Sequence, residues 1–219
     1  MQTIKEATAV AGSLGFPSKM PGTAYGISAH NCQTGGKLHD VPGSVCEDCY
    51  ALKGNYLYPD IAKGHAKREA GIENPAWVGG MIMLLTATHK RGTGRNGPIS
   101  SGWHRWHDSG DIQSVAHLAK ICDVARRTPQ IKHWLPTREM GYVKAFIAGG
   151  GTVPDNLTIR VSATMVDGPA TKAWPQTSRV HQNAAPVGHV CPAPKQDGHC
   201  GDCRACWSRD VAQVSYHKH

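Results

Sequence analysis

Four of the eight cysteines lie close together near the C-terminus, at a spacing that suits a metal centre. They are Cys191, Cys200, Cys203 and Cys206, which give the pattern C-x8-C-x2-C-x2-C. Two-residue gaps let one tight loop direct several sulfurs at a single centre, as tetrahedral zinc and a 4Fe–4S cluster both require. The closely repeated cysteines favour an iron–sulfur cluster, because zinc sites usually combine one C-x2-C pair with a distant second pair. Zinc and disulfide bonds are the alternatives.

Three further cysteines, Cys32, Cys46 and Cys49, form a C-x13-C-x2-C group nearer the N-terminus. Three thiolates leave one position of a metal centre without a cysteine, and an open position is typical of a reactive site. The alternative is a zinc site that His30 or His39 completes. The two cysteine groups could also share a single centre.

The eighth cysteine, Cys122, stands alone in the segment 114–127, whose apolar residues recur with the period of a helix. We expect a buried, unreactive thiol there. The N-terminus carries an early acid, Glu6, and no continuous apolar stretch before Gly12, which argues against a secretory signal. Without such a signal, metal binding or catalysis is a better expectation for the other cysteines than a disulfide scaffold.

Predicted strands and helices alternate along most of the chain. The strand candidates are residues 24–30, 103–107, 131–137, 157–162, 178–182 and 211–217, and helical stretches are predicted at 60–70, 77–89, 112–127 and 139–148. Such alternation indicates a parallel sheet with right-handed crossovers. Six strands are too few for a closed eight-stranded barrel. The predicted fold class is therefore α/β, a partial (β/α)6 TIM-like barrel with Gly/Pro-rich loops.

The predicted organisation is an N-terminal arm over residues 1–23, followed by one partial-barrel domain over residues 24–219. Gly-rich or Pro-rich loops are predicted at 33–45, 91–102 and within 168–200. The cysteine-rich stretch 191–206 is predicted to be a metal-binding loop inserted before the last strand.

Polar residues follow the predicted strands where each strand ends, and parallel α/β sheets place their sites at that edge. A histidine beside carboxylates suits proton transfer near neutral pH, and arginine can hold a carboxylate in a bidentate pair. The candidate catalytic residues are Arg105, His107, Asp108, Arg138 and Glu139, and the candidate ligand-binding residues are His30, Asn31, Ser109 and Ser162. Arg138 and Glu139 could instead pair with each other. Asp111 is predicted to cap a helix that starts near residue 112.

The chain carries 24 Lys and Arg against 16 Asp and Glu, a formal charge of +8. Such a balance is compatible with nucleic-acid binding, but the basic residues are spread along the chain. Anionic clusters and an anionic substrate explain the charge equally well, so nucleic acid is not the favoured partner. No run of 18 apolar residues occurs, so we predict no membrane span and a cytoplasmic location.

Three features together resemble the radical SAM enzymes and a group of bacteriophage proteins related to them. They are Cys32, the Cys46-Glu-Asp-Cys49-Tyr50 segment and the partial-barrel alternation that follows. The segment from Cys191 to Trp207 looks like the auxiliary cluster region of such families, and the Arg-x-His-Asp-Ser-Gly-Asp stretch at 105–111 is similar to the phage-type relatives. The long first cysteine gap and the lack of a Gly-Gly-Glu stretch depart from the radical SAM pattern.

The resemblance implies that three thiolates bind a 4Fe–4S cluster whose fourth iron chelates S-adenosylmethionine. The expected function is therefore an iron–sulfur enzyme with radical SAM-like chemistry on a small amino-acid-like ligand. One or two clusters, S-adenosylmethionine and an electron donor are the expected cofactors and partners, in the host cytoplasm if the gene belongs to a phage. A non-redox lyase of the dehydratase or cysteine desulfidase type, with the open iron as a Lewis acid, is the first alternative. A zinc or iron–sulfur module that binds nucleic acid or a host protein is the second.

Overall fold

A computed structural model describes residues 3–95 and 97–218 of the chain. Its largest sheet has seven strands, all paired in parallel, in the order β1-β4-β5-β6-β7-β9-β8. The strands of this sheet are β1 (Thr23–Tyr25), β4 (Trp103–Trp106), β5 (Lys132–Thr137), β6 (Leu157–Ser162), β7 (Thr177–His181), β8 (His189–Val190) and β9 (Gln213–His217). A separate antiparallel hairpin consists of β2 (Thr93–Gly94) and β3 (Gly97–Pro98).

Helices flank the sheet and provide its crossovers. They are α1 (Ile4–Ala11), α2 (Gln33–Leu38), α3 (Pro59–Ile72), α4 (Trp77–Arg91), α5 (Val115–Arg126) and α6 (Met140–Ala148). The predicted α/β class is confirmed. The six predicted strands correspond to β1, β4, β5, β6, β7 and β9, while β1 and β8 lie at opposite edges of an open sheet. In the described residues, no helix is long and apolar enough to cross a membrane.

Within the predicted N-terminal arm, residues 4–11 form helix α1, which the sequence did not predict. Thr3 and Glu6 make a capping box at its start, and Ala7 and Ala11 are fully buried on the side that packs against α4. Two alanines one turn apart are a weak periodic signal in sequence, yet they let two helices approach closely.

Three predicted loops also contain regular structure. Helix α2 lies within 33–45, the β2–β3 hairpin lies in 91–102, and β8 lies in 168–200. The first strand is shorter than predicted, because a 3-10 helix over Ala29–Asn31 follows β1 after a short irregular segment. These elements are short, and tertiary contacts rather than sequence periodicity determine them.

The core between the sheet and the helices is built around large aromatic side chains. Trp77 and Trp106 are completely buried and contact both Tyr25 and each other, and the Trp77 indole donates a hydrogen bond to the Tyr25 hydroxyl. Cys122 belongs to this core, as expected, with 1% of its surface exposed. Burial raises the pKa of its thiol to about 12, so it stays protonated.

Candidate functional site

A cavity of about 320 Å³ opens at the carboxyl ends of β1, β4, β5 and β6. Parallel α/β sheets place their sites at this edge, because the loops that follow neighbouring strands converge there. Residues from several parts of the chain line it: Ala29, His30, Cys32, Gly35, Gly36, His39, Cys46, Cys49, Tyr50, Ala51, Leu52, Arg105, His107–Asp111, Pro136–Arg138 and Ser162. Most of the predicted strand-end residues therefore share one cavity with the N-terminal cysteines.

All three N-terminal cysteines face this cavity, and helix α2 brings two of them together. A β-carbon placed on Gly35 would lie 3.5 Å from Cys46 Sγ and 3.7 Å from Cys32 Sγ, so both sulfurs converge on one point. The same β-carbon would lie 3.0 Å from Cys32 Cβ. Glycine at this position therefore provides the room in which the thiols approach each other.

The surroundings of the cavity thiols raise their pKa values, so positive charge nearby would favour the thiolate forms. Burial, followed by the charges of Asp111, Cys49 and Cys46, raises the pKa of Cys32 to about 12. Burial also raises the pKa of Cys46, while the Arg138 guanidinium acts to lower the pKa of both thiols. A bound cation would reverse this balance, because coordination deprotonates a thiol.

Within residues 3–95 and 97–218, no group of three His, Cys, Asp or Glu side chains is arranged to hold a single metal ion. A zinc ion holds its sulfurs at about 2.3 Å from the metal, and the described residues show no such arrangement in the cavity.

Two arginines, Arg105 and Arg138, line the cavity and each has a buried guanidinium nitrogen that makes no hydrogen bond to the described residues. Arg105 stacks on Trp134, with its guanidinium carbon 4.6 Å from a ring centroid, and one of its terminal nitrogens lies 3.4 Å from the Tyr50 hydroxyl. The Nε atoms of Arg105 and Arg138 are buried and have no hydrogen-bond partner among the described residues. A buried donor without a partner is destabilising, so these groups suit an anionic ligand.

His107 combines backbone strain with an unpaired ring. Its φ of +52° lies in the left-handed region, which is uncommon for a residue with a β-carbon. The side chain is 3% exposed, and neither ring nitrogen has a hydrogen-bond partner in the described residues. Burial, followed by the charges of His117 and Arg105, holds its pKa well below the usual value, so the imidazole is neutral. A neutral ring at the cavity wall can accept or donate a proton.

Asp108 and Ser109 continue the cavity wall beyond His107. A β-carbon on Gly26 would lie 2.3 Å from Asp108 Oδ1, so only glycine leaves room for this carboxylate. The Tyr50 hydroxyl donates a 2.6 Å hydrogen bond to the Asp108 carbonyl. The Ser109 hydroxyl donates to the Ile27 carbonyl at 2.7 Å, which ties the loop after β4 to the loop after β1.

The prediction that Asp111 caps the next helix is wrong. Helix α5 starts at Val115, and the Ser114 side chain accepts its capping bond from the His117 amide. Asp111 instead accepts hydrogen bonds from the Thr137 hydroxyl at 2.6 Å and the Arg138 amide at 2.8 Å. It thereby joins the ends of β4 and β5 beneath the cavity. Burial raises its pKa to about 6, although the hydrogen bonds oppose that rise.

Two predicted site residues do not line the cavity. The Glu139 carboxylate accepts bonds from the Thr34 amide and hydroxyl, both at 2.7 Å, so it bonds to α2 rather than to Arg138. Asn31 points to Glu69 on α3. Both residues hold cavity-forming segments in place. His30 and Ser162 do line the cavity.

Two of the C-terminal cysteines have side-chain contacts with β8 and β9. Cys203 Sγ lies 3.3 Å from His189 Nε2, and Cys206 Sγ lies 3.1 Å from the Tyr216 hydroxyl. Burial raises the pKa of Cys200, as do the neighbouring thiolates of Cys191 and Cys203. None of these four cysteines lines the cavity. Sequence left open whether the two groups share a centre, and the structure places them apart.

Arg105 lies between the two groups of cysteines. It lines the cavity, and its charge acts to lower the pKa of Cys200 and Tyr216 on the other side. Tyr50, Asp111 and Gly35 are site residues that sequence reasoning did not select. The only signals for them were their positions beside a cysteine or just beyond a strand.

An open α/β sheet with a cysteine-lined cavity at its carboxyl edge defines the class of this protein. The family model described as Gene product 88 matches residues 2–209, so the chain belongs to this family of phage-type gene products. No curated protein and no solved structure matches it. The expected bacteriophage relationship is thus confirmed, whereas no match shows membership of the radical SAM enzymes.

Proposed function

We propose that this protein is an iron–sulfur enzyme whose cavity cysteines hold a 4Fe–4S cluster with an open iron. The observation that carries the proposal is the convergence of Cys32, Cys46 and Cys49 on one cavity, with Arg105 and Arg138 beside them. Three thiolates leave one iron without a protein ligand. Two buried guanidinium donors without partners suit the carboxylate of a small amino-acid-like ligand.

We favour radical SAM-like chemistry. When bound, such a cluster would supply an electron and an open iron for the amine and carboxylate of S-adenosylmethionine. The sequential winding of β1, β4, β5, β6, β7 and β9 supports our assignment of a partial (β/α)6 barrel to the sheet. An electron donor in the host cytoplasm would complete the reaction.

The side chains of the cavity would bind and orient the ligand and move protons. Arg138 would clamp a carboxylate close to the thiols, while Arg105, fixed on the Trp134 ring, would hold a second anionic or polar group. His107 would exchange a proton at a ring nitrogen, and its strained backbone keeps the imidazole at the wall. Asp108 would contribute a carboxylate at the same edge.

Anaerobic purification and reconstitution with iron and sulfide test the proposal. We expect a brown protein that converts S-adenosylmethionine to 5′-deoxyadenosine when a reductant is added. C49A should lose the iron of one cluster and all 5′-deoxyadenosine production. C122A is the matched control, because Cys122 lies in the core away from the cavity. A colourless zinc protein, or a C49A variant that keeps its iron and activity, would refute the proposal.

A non-redox lyase is the second candidate function. The cavity lining contains a neutral His107 and also Asp111, whose pKa is raised to about 6. Two groups of different proton affinity in one cavity suit an elimination. Release of sulfide from cysteine without a reductant would select this reaction.

The binding-module alternative has its own test, in which the affinity of the protein for nucleic acid is measured at several salt concentrations. Steep salt dependence without turnover would select the binding module.

A further inference from the structure

The edge of the sheet at β8 and β9 brings three of the C-terminal cysteines to one place. The Cys191 amide donates a 2.9 Å hydrogen bond to the Ser215 carbonyl, so this cysteine continues the pairing of β8 with β9. Cys203 approaches His189 of β8, and Cys206 approaches Tyr216 of β9. The fourth cysteine, Cys200, joins Cys203 through a turn in which the Cys203 amide donates to the Cys200 carbonyl.

The segment that carries Cys191, Cys200 and Cys203 has no apolar core of its own. Every residue from 182 to 204 is described, and none of them is buried. Its regular structure is limited to the two residues of β8 and one short 3-10 helix, Ala193–Lys195. A long segment that buries no side chains needs another source of order, and small domains use disulfides or metals for this purpose.

We propose that Cys191, Cys200, Cys203 and Cys206 form a second iron–sulfur centre, separate from the cavity and closed by four thiolates. This inference goes beyond the proposed function and does not depend on it, since a different set of cysteines carries it. All eight cysteines are free thiols in the structure. The C-x2-C-x2-C run resembles the bacterial ferredoxin pattern more closely than that of a zinc site.

The surroundings of the sulfurs support a cluster of thiolates. The Tyr216 hydroxyl can donate a hydrogen bond to Cys206 Sγ, and His189 Nε2 can donate to Cys203 Sγ, as groups that tune cluster sulfurs do.

The position of the centre indicates its role. Arg105 lines the cavity, and its charge also acts to lower the pKa of Cys200 in the C-terminal group. The loop that carries Cys191, Cys200 and Cys203 is exposed or half-buried, whereas Cys46 in the cavity is buried. A second centre at the surface and next to the cavity suits the entry of electrons from a donor.

Metal analysis of the full chain, reconstituted anaerobically with iron and sulfide, tests the second centre. C203S should bind about four fewer irons and about four fewer sulfides than the parent, the content of one cluster. C49A should lose a similar amount from the cavity, and a C49A/C203S variant should lose both. C122A is again the control. The inference fails if C203S retains all its iron, or if this site holds zinc.

A second readout does not depend on whether C203S folds. Trypsin can cut the parent protein within the loop at Lys195 and Arg204. Removing iron from the parent with a chelator should speed cleavage at these two sites at least tenfold, while cleavage in the rest of the chain changes less. Equal cleavage of the loop with and without iron would overturn the inference. Loss of iron in C203S but not in C49A would sustain this centre and refute the cavity cluster.

Discussion

Acid should destabilise this protein through histidines that are buried in its core. His117 on α5 and His133 on β5 are at most 1% exposed, and burial lowers the pKa of each to about 3. Unfolding returns both rings to water, where histidine titrates near pH 6.5. Between pH 6.5 and pH 3 the unfolded chain therefore binds protons that the folded chain does not, and stability falls as the pH falls.

The size of the effect follows from the pKa values. Each proton changes the free energy of unfolding by about 1.4 kcal/mol per pH unit, so two histidines remove about 4 kcal/mol between pH 7 and pH 5. Asp111 acts in the opposite direction. Burial raises its pKa from 3.8 to about 6, so the folded chain gains a proton first. This returns about 1.4 kcal/mol by pH 5, so these three groups together leave a net loss of about 2.6 kcal/mol.

A single substitution isolates one of these histidines. H133F removes a titrating group and keeps an aromatic ring against Trp106, and the Thr128 hydroxyl retains the Val124 carbonyl as its acceptor. Urea unfolding followed by tryptophan fluorescence at pH 7, 6 and 5 gives the free energy of unfolding for parent and variant. Between pH 7 and pH 5 the variant should gain about 2 kcal/mol relative to the parent. Parallel pH dependences would refute a neutral, buried His133.

Three further substitutions test other parts of the structure. S114A should lower stability by about 1 kcal/mol, because Ser114 caps α5, and a thermal melt measures this. R160M should destabilise the protein by about 3 to 5 kcal/mol in urea unfolding, because this buried guanidinium donates to four backbone carbonyls that include those of Ala205 and Ser208. G35A should lower the iron content after reconstitution by crowding Cys32, whereas G36A, with nothing within 4 Å of its new β-carbon, should leave it unchanged. Equal iron in both glycine variants would count against the cavity cluster.

Much of the sheet was predictable from the chain, because buried parallel strands and amphipathic helices each leave a local pattern. All six predicted strands exist, and helices α3 to α6 occur near their predicted positions. The missed elements have weak local patterns. Helix α1 buries two alanines, α2 contains two glycines, and β8 is two residues long. Each depends on a neighbour that is distant in sequence.

The candidate site was predictable in composition but not in detail. The polar residues that follow the predicted strands included His107 and Arg138, which do line the cavity. They also included Glu139, whose side chain instead accepts a hydrogen bond from Thr34, a residue 105 positions away in the chain. The sequence predicted that Asp111 caps a helix, because the residues next to it in the chain suggest only a local role. Its partners lie on the next strand, beyond the reach of local reasoning.

The sequence by itself determined the chemistry that is available: thiols in groups of three and four, arginines and a histidine after strands, and an alternating α/β pattern. These features are local, because residue type and spacing specify them. Tertiary structure alone decided which groups meet. It brought Cys32, Cys46 and Cys49 to the cavity, set the other four cysteines at the opposite side of Arg105, and left His107 strained and unpaired at the wall. Such distances depend on how the whole sheet packs, since parallel strands align residues that lie tens of positions apart.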